Sequence, residues 1–349
     1  MNSLVEAIGA RARSIALNSG LGVEKALEIS LDEVAEKSAI FAETSVATEV
    51  RQALAGYGSL TQFIEDPEVE EIWMNRPNEL FAFRSGSVER HVVRLDAEEQ
   101  RIIIDRMLRS AGRRIDRTSP FADASLPDGS RLHVVIPDIT REHLSFNLRK
   151  FSKSKATLDE LEANRTINES QRRLILQALE SKKSVLISGA TAAGKTTLLN
   201  AILNSLPKSD RVVSVEDTLE LAFADRDAVA MQTRPASIEG GGEIDLRRLV
   251  RETLRMRPTW LVVGEVRGGE AAELLIALNS GLPALCTIHA NSADQALTKL
   301  VTLPMLAHSN VDPRFVTEVV RNCIGLVVHC TQSDAGVRTV AEVKVLSDA

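Results

Sequence analysis

The stretch "VLISGATAAGKTTLLN", residues 185–200, decides the fold of the second half of the chain. An apolar run, a tight loop and a helix that opens at a lysine predict a buried strand followed by a phosphate-binding loop. The loop fits the pattern G-x-x-x-x-G-K-[ST], with Gly189, Gly194, Lys195 and Thr196 at the required positions. Backbone N–H groups of such a loop, together with the positive end of the helix, attract phosphate. We therefore predict a nucleotide site, and the alternative is a chance match in a loop.

Three positions inside this loop, 190, 192 and 193, carry alanine where such loops often carry glycine. The small Cβ of alanine is tolerated if the backbone angle φ stays negative. We expect Lys195 to reach the β- and γ-phosphates of ATP and the Thr196 hydroxyl to join the shell of a Mg²⁺ ion. The predicted nucleotide-binding residues are Gly189, Ala190, Thr191, Ala192, Ala193, Gly194, Lys195, Thr196 and Thr197.

Composition narrows the class of protein. The chain has 349 residues, which suggests two domains, and its 44% apolar and 26% charged content is typical of soluble globular proteins. A net charge of -6 gives no sign of a protein that binds nucleic acid directly. The three cysteines form no C-x-x-C pair, as expected in a reducing compartment. No apolar run approaches the ~18 residues of a membrane span, so we expect any membrane contact to be peripheral.

The spacing of apolar residues changes along the chain. Residues 1–55 show the spacing of helices, and residues 56–150 combine short strands with one helix, which predicts a small α+β domain. Within it, Asp128-Gly129 between two apolar runs indicates a hairpin turn. Residues 151–165 are polar and are predicted to be a linker. Residues 166–349 alternate strands and helices, which predicts an α/β fold with a mostly parallel sheet covered by helices on both faces.

Acidic side chains and a histidine follow predicted strands of the second domain. Glu265 ends the run "WLVVGE", where it is a candidate to hold Mg²⁺ or orient the attacking water, the alternative being a surface residue. Glu216 and Asp217 end "VVSVED" and are candidates for a base and a metal-shell or structural group, unless Asp217 only caps a turn. His289 ends "ALCTIH", a strand expected beside that of Glu265. It is a candidate sensor of the γ-phosphate, although a lone histidine is more often structural.

Hydrolysis also needs positive charge at the γ-phosphate, and an arginine from another domain or subunit often supplies it. Arg114, Arg131 and Arg149 stand near turns or strand ends of the first domain, and Arg267 follows the strand of Glu265. Residues 247–257, "RRLVRETLRMR", predict a basic helix. We interpret it as solvated or facing another subunit, with a nucleic-acid surface as the alternative.

Taken together, these motifs resemble a known family. "GATAAGKTTLLN", "VEDTLEL", "LRMRPTWLVVGEVRGGEA" and "TIHANSADQAL" stand in the order found in the type II/type IV secretion ATPase superfamily. "GRRIDRTSPFADASLPDGSRLH", "LRKFS" and "TRPASIEGGGEIDLRRLVRETLRMRP" are similar to the CpaF-type ATPases of Flp (tight-adherence) pilus assembly. The resemblance runs over about 57–345 and is most specific across 111–300.

The resemblance implies a RecA-like P-loop NTPase domain in a two-domain subunit of a homohexamer, with ATP and Mg²⁺ bound between the domains. The family usually reads G-G-T-G-S-G-K-T-T in its loop, so the alanines put turnover in question rather than the ligand. The resemblance assigns residues 189–197 to the Walker A loop, and Thr196 and Glu265 to metal binding. It assigns five residues to catalysis: Glu216 in the "Asp box", Glu265 in the Walker B motif, His289 in the "His box", Arg131 and Arg149.

The expected function is an ATPase motor that hydrolyses ATP to drive pilus assembly or related secretion. The resemblance implies a cytoplasmic protein at the inner face of the inner membrane, docked on a membrane-embedded platform protein. The alternatives are a type IV secretion ATPase of conjugation or effector export, and a nucleotide-binding scaffold with little hydrolysis. Neither the N-K-x-D run of ordinary GTPases nor the L-S-G-G-Q run of ABC ATPases occurs.

Overall fold

The computed structural model describes residues 57–84, 86–151, 156–223, 225–234, 241–307, 311–333 and 336–346. The helices predicted over 1–55 lie outside these residues. Within the described ranges, no helix is long and apolar enough to cross a membrane. Contacts between Cα atoms divide the chain into two compact units, and the division falls between Lys150 and Phe151.

The first unit is an antiparallel sheet with a helix on one face. Its elements are α1 (Thr61–Glu65), β1 (Val69–Arg76), β2 (Glu79–Arg84), β3 (Ser87–Val92), α2 (Ala97–Ser110), β4 (Phe121–Ser125), β5 (Arg131–Val135) and β6 (Ser145–Arg149). The strand order is β3-β2-β1-β6-β5-β4. Every second residue of β1, β5 and β6 is buried near the sheet centre, and these residues share one apolar cluster with the buried side of α2. Alternation of this kind is what a sheet with one covered face requires.

Local residue chemistry fixes a turn and a helix start in the first unit, and the predicted turn is confirmed. The Asp128-Gly129 turn joins β4 to β5, and the Asp128 carboxylate accepts a hydrogen bond from the Ser130 N–H at 2.9 Å. Gly129 has a φ of 89°, a conformation that glycine adopts without steric cost. Asp96 caps α2 in a reciprocal capping box with Glu99, so the helix begins where its first orphan N–H groups find an acceptor.

The second unit is the predicted α/β domain. Its elements are α3 (Leu158–Ala163), α4 (Glu169–Glu180), β7 (Ser184–Gly189), α5 (Lys195–Asn204), β8 (Val212–Glu216), β9 (Ala228–Gln232), α6 (Leu246–Thr253), β10 (Trp260–Val266), α7 (Glu270–Asn279), β11 (Ala284–His289), α8 (Ala293–Ala307), α9 (Pro313–Cys323), β12 (Ile324–Gln332) and β13 (Arg338–Val345). The strand order is β13-β12-β7-β11-β10-β8-β9, and only the β12–β13 pair is antiparallel.

Both faces of this sheet are covered. Along β7, Leu186 belongs to one apolar cluster, whereas Val185 and Ile187 belong to a second cluster on the opposite face. The whole of β7 is buried, which explains why its sequence is a continuous apolar run instead of an alternating one. Because β7, β8, β10 and β11 are parallel, their carboxyl ends lie at one edge of the sheet.

The stretch predicted as a linker, 151–165, contains a helix. Thr157 and Glu160 form a capping box at the start of α3. Leu158 and Leu161, three residues apart, are buried in the apolar cluster that also holds α5. A polar average over the segment hid this apolar pair, and two leucines on one helix face are enough to pack so short a helix onto a core.

Candidate nucleotide site

The phosphate loop joins β7 to α5, and each of its pattern glycines has a separate structural reason. Gly189 has a φ of 153°, and a Cβ at this position would collide with the carbonyl oxygen of Cys330 on the adjacent strand β12. Gly194 has a φ of 90° and is the N-cap residue of α5, where it provides no side-chain cap. Since no side chain caps it, the first turn of α5 presents backbone N–H groups to an anion.

One of the three alanines departs from the expected backbone. Ala192 has a φ of 62°, in the left-handed region, whereas Ala190 and Ala193 are not among the described residues with positive φ. The negative φ under which alanine is tolerated is therefore not adopted at position 192. Ala193 is 2% exposed and belongs to the apolar cluster under α5. The loop thus contains one strained alanine and one packed alanine.

Lys195 lies at the centre of the loop. Its ammonium group donates to the carbonyl oxygens of Ala190 at 2.8 Å and Gly189 at 3.2 Å, and its Nζ lies 3.1 Å from His289 Nδ1. His289 is opposite Gly189 in the register of β11 and β7, which explains this contact between residues 94 positions apart. A compact positive charge held by backbone carbonyl oxygens suits the oxygens of a polyphosphate.

A chain of charged contacts continues from His289 along the sheet edge. His289 Nε2 lies 2.5 Å from Glu265 Oε1, and Arg267 Nε donates to Glu265 Oε2 at 2.8 Å. Arg267 Nη1 also lies 3.1 Å from Asp217 Oδ2, at the end of β8. The expected pairing of β11 with β10 is confirmed. Lys195, His289, Glu265, Arg267 and Asp217 therefore form one contiguous cluster, here called the strand-end cluster.

Glu265 owes its direction to an irregularity in β10. Val266 stands three positions after Val263 in β10, whereas their partners in β11, Cys286 and Ile288, are only two positions apart. An extra residue of this kind bends the strand and re-aims a side chain. The Glu265 side chain is only 17% exposed, so it is not the surface glutamate of the alternative interpretation.

The oxygens at this edge suit Mg²⁺, a hard cation that prefers oxygen ligands. Glu265 Oε1 is buried and accepts no hydrogen bond within the described residues, although His289 lies at ion-pair distance. Thr196 is half-buried in the first turn of α5. These two residues would hold the ion together with phosphate oxygens.

Glu216 has a different environment from Glu265. It is 2% exposed, and its carboxylate accepts from Ser214 Oγ at 2.8 Å and from the N–H groups of Glu220 at 2.7 Å and Leu221 at 3.0 Å. Burial raises the pKa of this carboxyl above its usual range, although the backbone and Ser214 hydrogen bonds oppose the shift. Glu216 therefore orders the segment after β8, and its predicted catalytic role stays a prediction.

The two arginines predicted to be catalytic lie in the first unit. Arg131 opens β5 and Arg149 ends β6, and the register places them directly opposite each other. Glu71 of β1 is the next residue in the same row, opposite Arg149. The structure brings the two arginines together, and their action on a phosphate stays a prediction.

Sequence reasoning missed Arg338. Its Nε donates to the Ala192 carbonyl oxygen at 2.9 Å, across 146 positions. No motif or spacing connects these residues, and the contact arises because β13 lies two strands from β7 in the sheet. The same end of β13 contributes Thr339 and Val340 to a cavity of about 440 Å³. The other lining residues are Glu162, Arg165, Thr166, Ile167, Asn168 and Gln171.

The basic helix predicted over 247–257 is α6 and the turn after it. Arg247 and Arg251 donate to Glu273 Oε1 at 2.7 Å and 2.6 Å, and Arg248 pairs with Glu252 at 2.8 Å. These arginines are thus occupied by carboxylates of α7 and of α6 itself. Such pairing weakens the interpretation of α6 as a surface for nucleic acid, which would need its positive charge.

Comparisons with known proteins agree on one family. A family model described as "Type II/IV secretion system protein" matches residues 53–345. The chain is 31% identical over 285 residues to a conjugal transfer protein TrbB of Rhizobium radiobacter, covering 80% of this chain and 84% of that protein. It is 30% identical over 276 residues to the type IV secretion system protein PtlH of Bordetella pertussis, covering 72% of this chain and 81% of the relative.

A solved structure confirms the fold. The ATPase DotB of Legionella pneumophila superposes with a TM-score of 0.58 at 21% identity, over 80% of this chain and 77% of DotB. The predicted α/β fold with a RecA-like domain is confirmed by this likeness. The finer resemblance to CpaF-type proteins is not confirmed, because the matched family is the wider one.

Proposed function

The chain belongs to the type II/IV secretion system protein family, and from this premise we propose that it is an ATPase whose hydrolysis drives a secretion or pilus machine. The observation that carries the proposal is the strand-end cluster, which links the phosphate-loop lysine through His289 to Glu265 without a gap. A chance match to the loop pattern would not place a histidine of another strand against its lysine and a carboxylate of a third strand against that histidine.

Each residue of the cluster has a task in this proposal. Backbone N–H groups of the loop and the ammonium of Lys195 bind and orient the phosphates. Bound Mg²⁺ would supply Lewis-acid polarisation of the phosphoryl oxygens, held by Thr196 and Glu265. His289 contacts both Lys195 and Glu265. A shift of Lys195 on loss of the γ-phosphate would therefore reach the Glu265 carboxylate through one imidazole. Arg131 and Arg149 supply positive charge to the transition state.

We further propose that the working form is a homohexamer docked on a membrane-embedded platform protein. Closure and reopening of subunits around the ring would convert hydrolysis into displacement of that partner. In this proposal the protein acts at the cytoplasmic face of the inner membrane and needs no direct contact with nucleic acid. Assembly of Flp/Tad-type pili is the favoured machine because of the motifs across 111–300.

A type IV secretion machine is the second candidate. It is favoured by the relatives TrbB and PtlH, whose names refer to conjugal transfer and type IV secretion. Binding of the purified protein to platform proteins of a tight-adherence pilus system and to inner-membrane channel proteins of a conjugation system would separate the two. Selective binding to the channel proteins would overturn the pilus assignment and leave the ATPase assignment intact.

Phosphate release with Mg²⁺ and ATP tests the central proposal. We expect robust hydrolysis that is lost in Lys195→Ala and Glu265→Gln and retained in Lys344→Ala, a change on β13 where the lysine pairs with Asp294. Sizing with a non-hydrolysable ATP analogue should show a hexamer. Ring-shaped particles that release no phosphate would instead support a nucleotide-binding scaffold.

A further inference from the structure

Arg338 lies at a distance in sequence from every motif of the proposed site, yet it touches the phosphate loop. It opens β13, the antiparallel strand at one edge of the sheet. Its Nε donates to the carbonyl oxygen of Ala192 at 2.9 Å. The accepting residue is the one alanine of the loop with a left-handed backbone. The hydrogen bond is thus accepted by the loop residue whose backbone conformation is least favourable for its side chain.

The backbone of Ala192 explains why such a contact has an effect. A φ of 62° is unfavourable for a residue with a Cβ and costs glycine nothing sterically. An alanine in this conformation persists when surrounding contacts hold it there. A charged donor fixed to a sheet strand is a contact of this kind, because its hydrogen bond is stronger than one between neutral groups.

The rest of the Arg338 side chain lies along the same loop. A Cβ placed on Gly194 would be 3.5 Å from Arg338 Cδ, so the side chain crosses the start of α5. The helix N-terminus and the Lys195 ammonium group already make this region positive. A guanidinium group here adds positive charge where a polyphosphate would be bound, which agrees with the nucleotide site of the proposed function.

We propose that Arg338 is a positioning residue that holds the phosphate loop in its nucleotide-binding conformation through the Ala192 carbonyl. The proposal rests on the nucleotide site of the proposed function. It predicts that the need for Arg338 depends on the residue at 192. With glycine at 192 the loop adopts the required φ more easily, so its conformation depends less on the Arg338 hydrogen bond.

A double-mutant cycle on the full-length protein tests this dependence. Calorimetric titration with ADP would measure the Kd of the parent, Arg338→Ala, Ala192→Gly and the double variant. We expect Arg338→Ala to raise the Kd about tenfold in the parent and no more than about threefold when Ala192 is replaced by glycine. In steady-state hydrolysis, Arg338→Ala should raise KM more than it lowers kcat, because the Arg338 hydrogen bond to the loop acts on nucleotide binding.

Matched variants separate this role from a general loss of structure. Lys344→Ala, on the same strand but paired with Asp294, should keep the parent Kd. Arg338→Lys, which keeps the charge, should lie between the parent and Arg338→Ala, and it replaces the alanine variant in the cycle if that variant does not fold. An Arg338→Ala protein with the parent Kd, or an equal loss in both backgrounds, would overturn the inference alone. A parent protein that binds no ADP would overturn the proposed function and this inference with it.

Discussion

The two units of the molecule bring polar side chains together by different means. In the second unit, parallel strands end at one edge of the sheet, and Lys195, His289 and Glu265 meet there from separate parts of the chain. In the first unit, antiparallel register sets Arg131 beside Arg149 within the sheet. The parallel sheet concentrates opposite charges into a cluster of contacts, whereas the antiparallel sheet aligns like charges in a row.

This difference has a chemical consequence. The strand-end cluster contains a cation, an imidazole and carboxylates in mutual contact, which is the set needed to bind and polarise a phosphate. The arginine row contains positive charge with Glu71 as its neighbour in register. We therefore expect the second unit to carry binding and the chemistry, and the first unit to contribute charge to the transition state. Substitutions in the two units should separate these contributions.

The largest effect is expected from Glu265→Gln in the strand-end cluster. Loss of the charge that faces His289 and is proposed to hold Mg²⁺ should lower kcat by roughly 100- to 1,000-fold with little change in ADP affinity. Phosphate release and ADP titration measure the two quantities. Glu318→Gln, an exposed position on α9, is the control and should leave both unchanged. If Glu265→Gln turned over ATP at the parent rate, the assignment of the chemistry to the second unit would be wrong.

A smaller loss is expected from the arginine row. Arg131→Ala and Arg149→Ala should each slow turnover by roughly 10- to 100-fold and leave nucleotide binding largely intact, because a charge partner of the transition state is missing. The exposed Arg141, before β6, provides the control substitution to alanine. Turnover that stays unchanged in both variants would contradict the role assigned to the first unit.

Glu216 tests whether every carboxylate at the strand ends acts chemically. Its oxygens accept three hydrogen bonds, so Glu216→Gln should destabilise the fold by about 1–2 kcal/mol and reduce turnover about tenfold through disorder of the segment after β8. Glu220→Gln keeps the backbone N–H that Glu216 binds and is the matched variant. Thermal melting and phosphate release measure both. A far larger kinetic loss in Glu216→Gln, with normal melting, would instead support the catalytic role predicted for Glu216.

Glu273 tests charge pairing in the second unit away from the proposed chemistry. Burial by itself would raise the pKa of Glu273, but hydrogen bonds from Arg247 and Arg251 outweigh it, so that the pKa is lowered below 4.5. A lowered folded pKa means that this carboxylate stabilises the fold above pH 4.5, and that the contribution is lost as pH falls through the folded value.

We therefore expect Glu273→Gln to lower the free energy of unfolding by about 1–2 kcal/mol at neutral pH, and the difference from the parent to shrink below pH 4.5. Denaturant unfolding at several pH values measures it. Glu252→Gln on the same surface, whose partners Arg248 and Arg255 are 65% and 79% exposed, should have little effect. A pH-independent difference at Glu273 would show that packing rather than charge is responsible.

The smallest effect is expected at Ala192. Replacement by glycine relieves the left-handed backbone but gives the unfolded chain more freedom, so the net change in unfolding free energy should stay within about 1 kcal/mol. Ala193→Gly is the matched change, and it should be the more destabilising of the two because Ala193 is buried without positive φ. Melting curves compare them. The reverse order would contradict our account of the loop backbone.

Much of the second unit could be predicted because its signals are local or follow from parallel pairing. The loop pattern located β7 and α5, and apolar runs ending in Glu216, Glu265 and His289 located the strand ends that share an edge. The helix α3 was missed because two leucines within a polar segment are too few to show a helical repeat. The sign of φ at Ala192 was also missed, since it depends on the shape of the whole loop.

Local pattern and composition were sufficient to predict the α/β class, the phosphate loop and the residue types needed for phosphate chemistry, because each depends on neighbours in the chain. The order of the strands, the bulge that aims Glu265, the hydrogen bonds that occupy Glu216 and the reach of Arg338 to Ala192 came from the folded sheet. These features join positions tens to hundreds of residues apart. Their energy depends on which strands become neighbours, and a single sequence carries no separate signal for that choice.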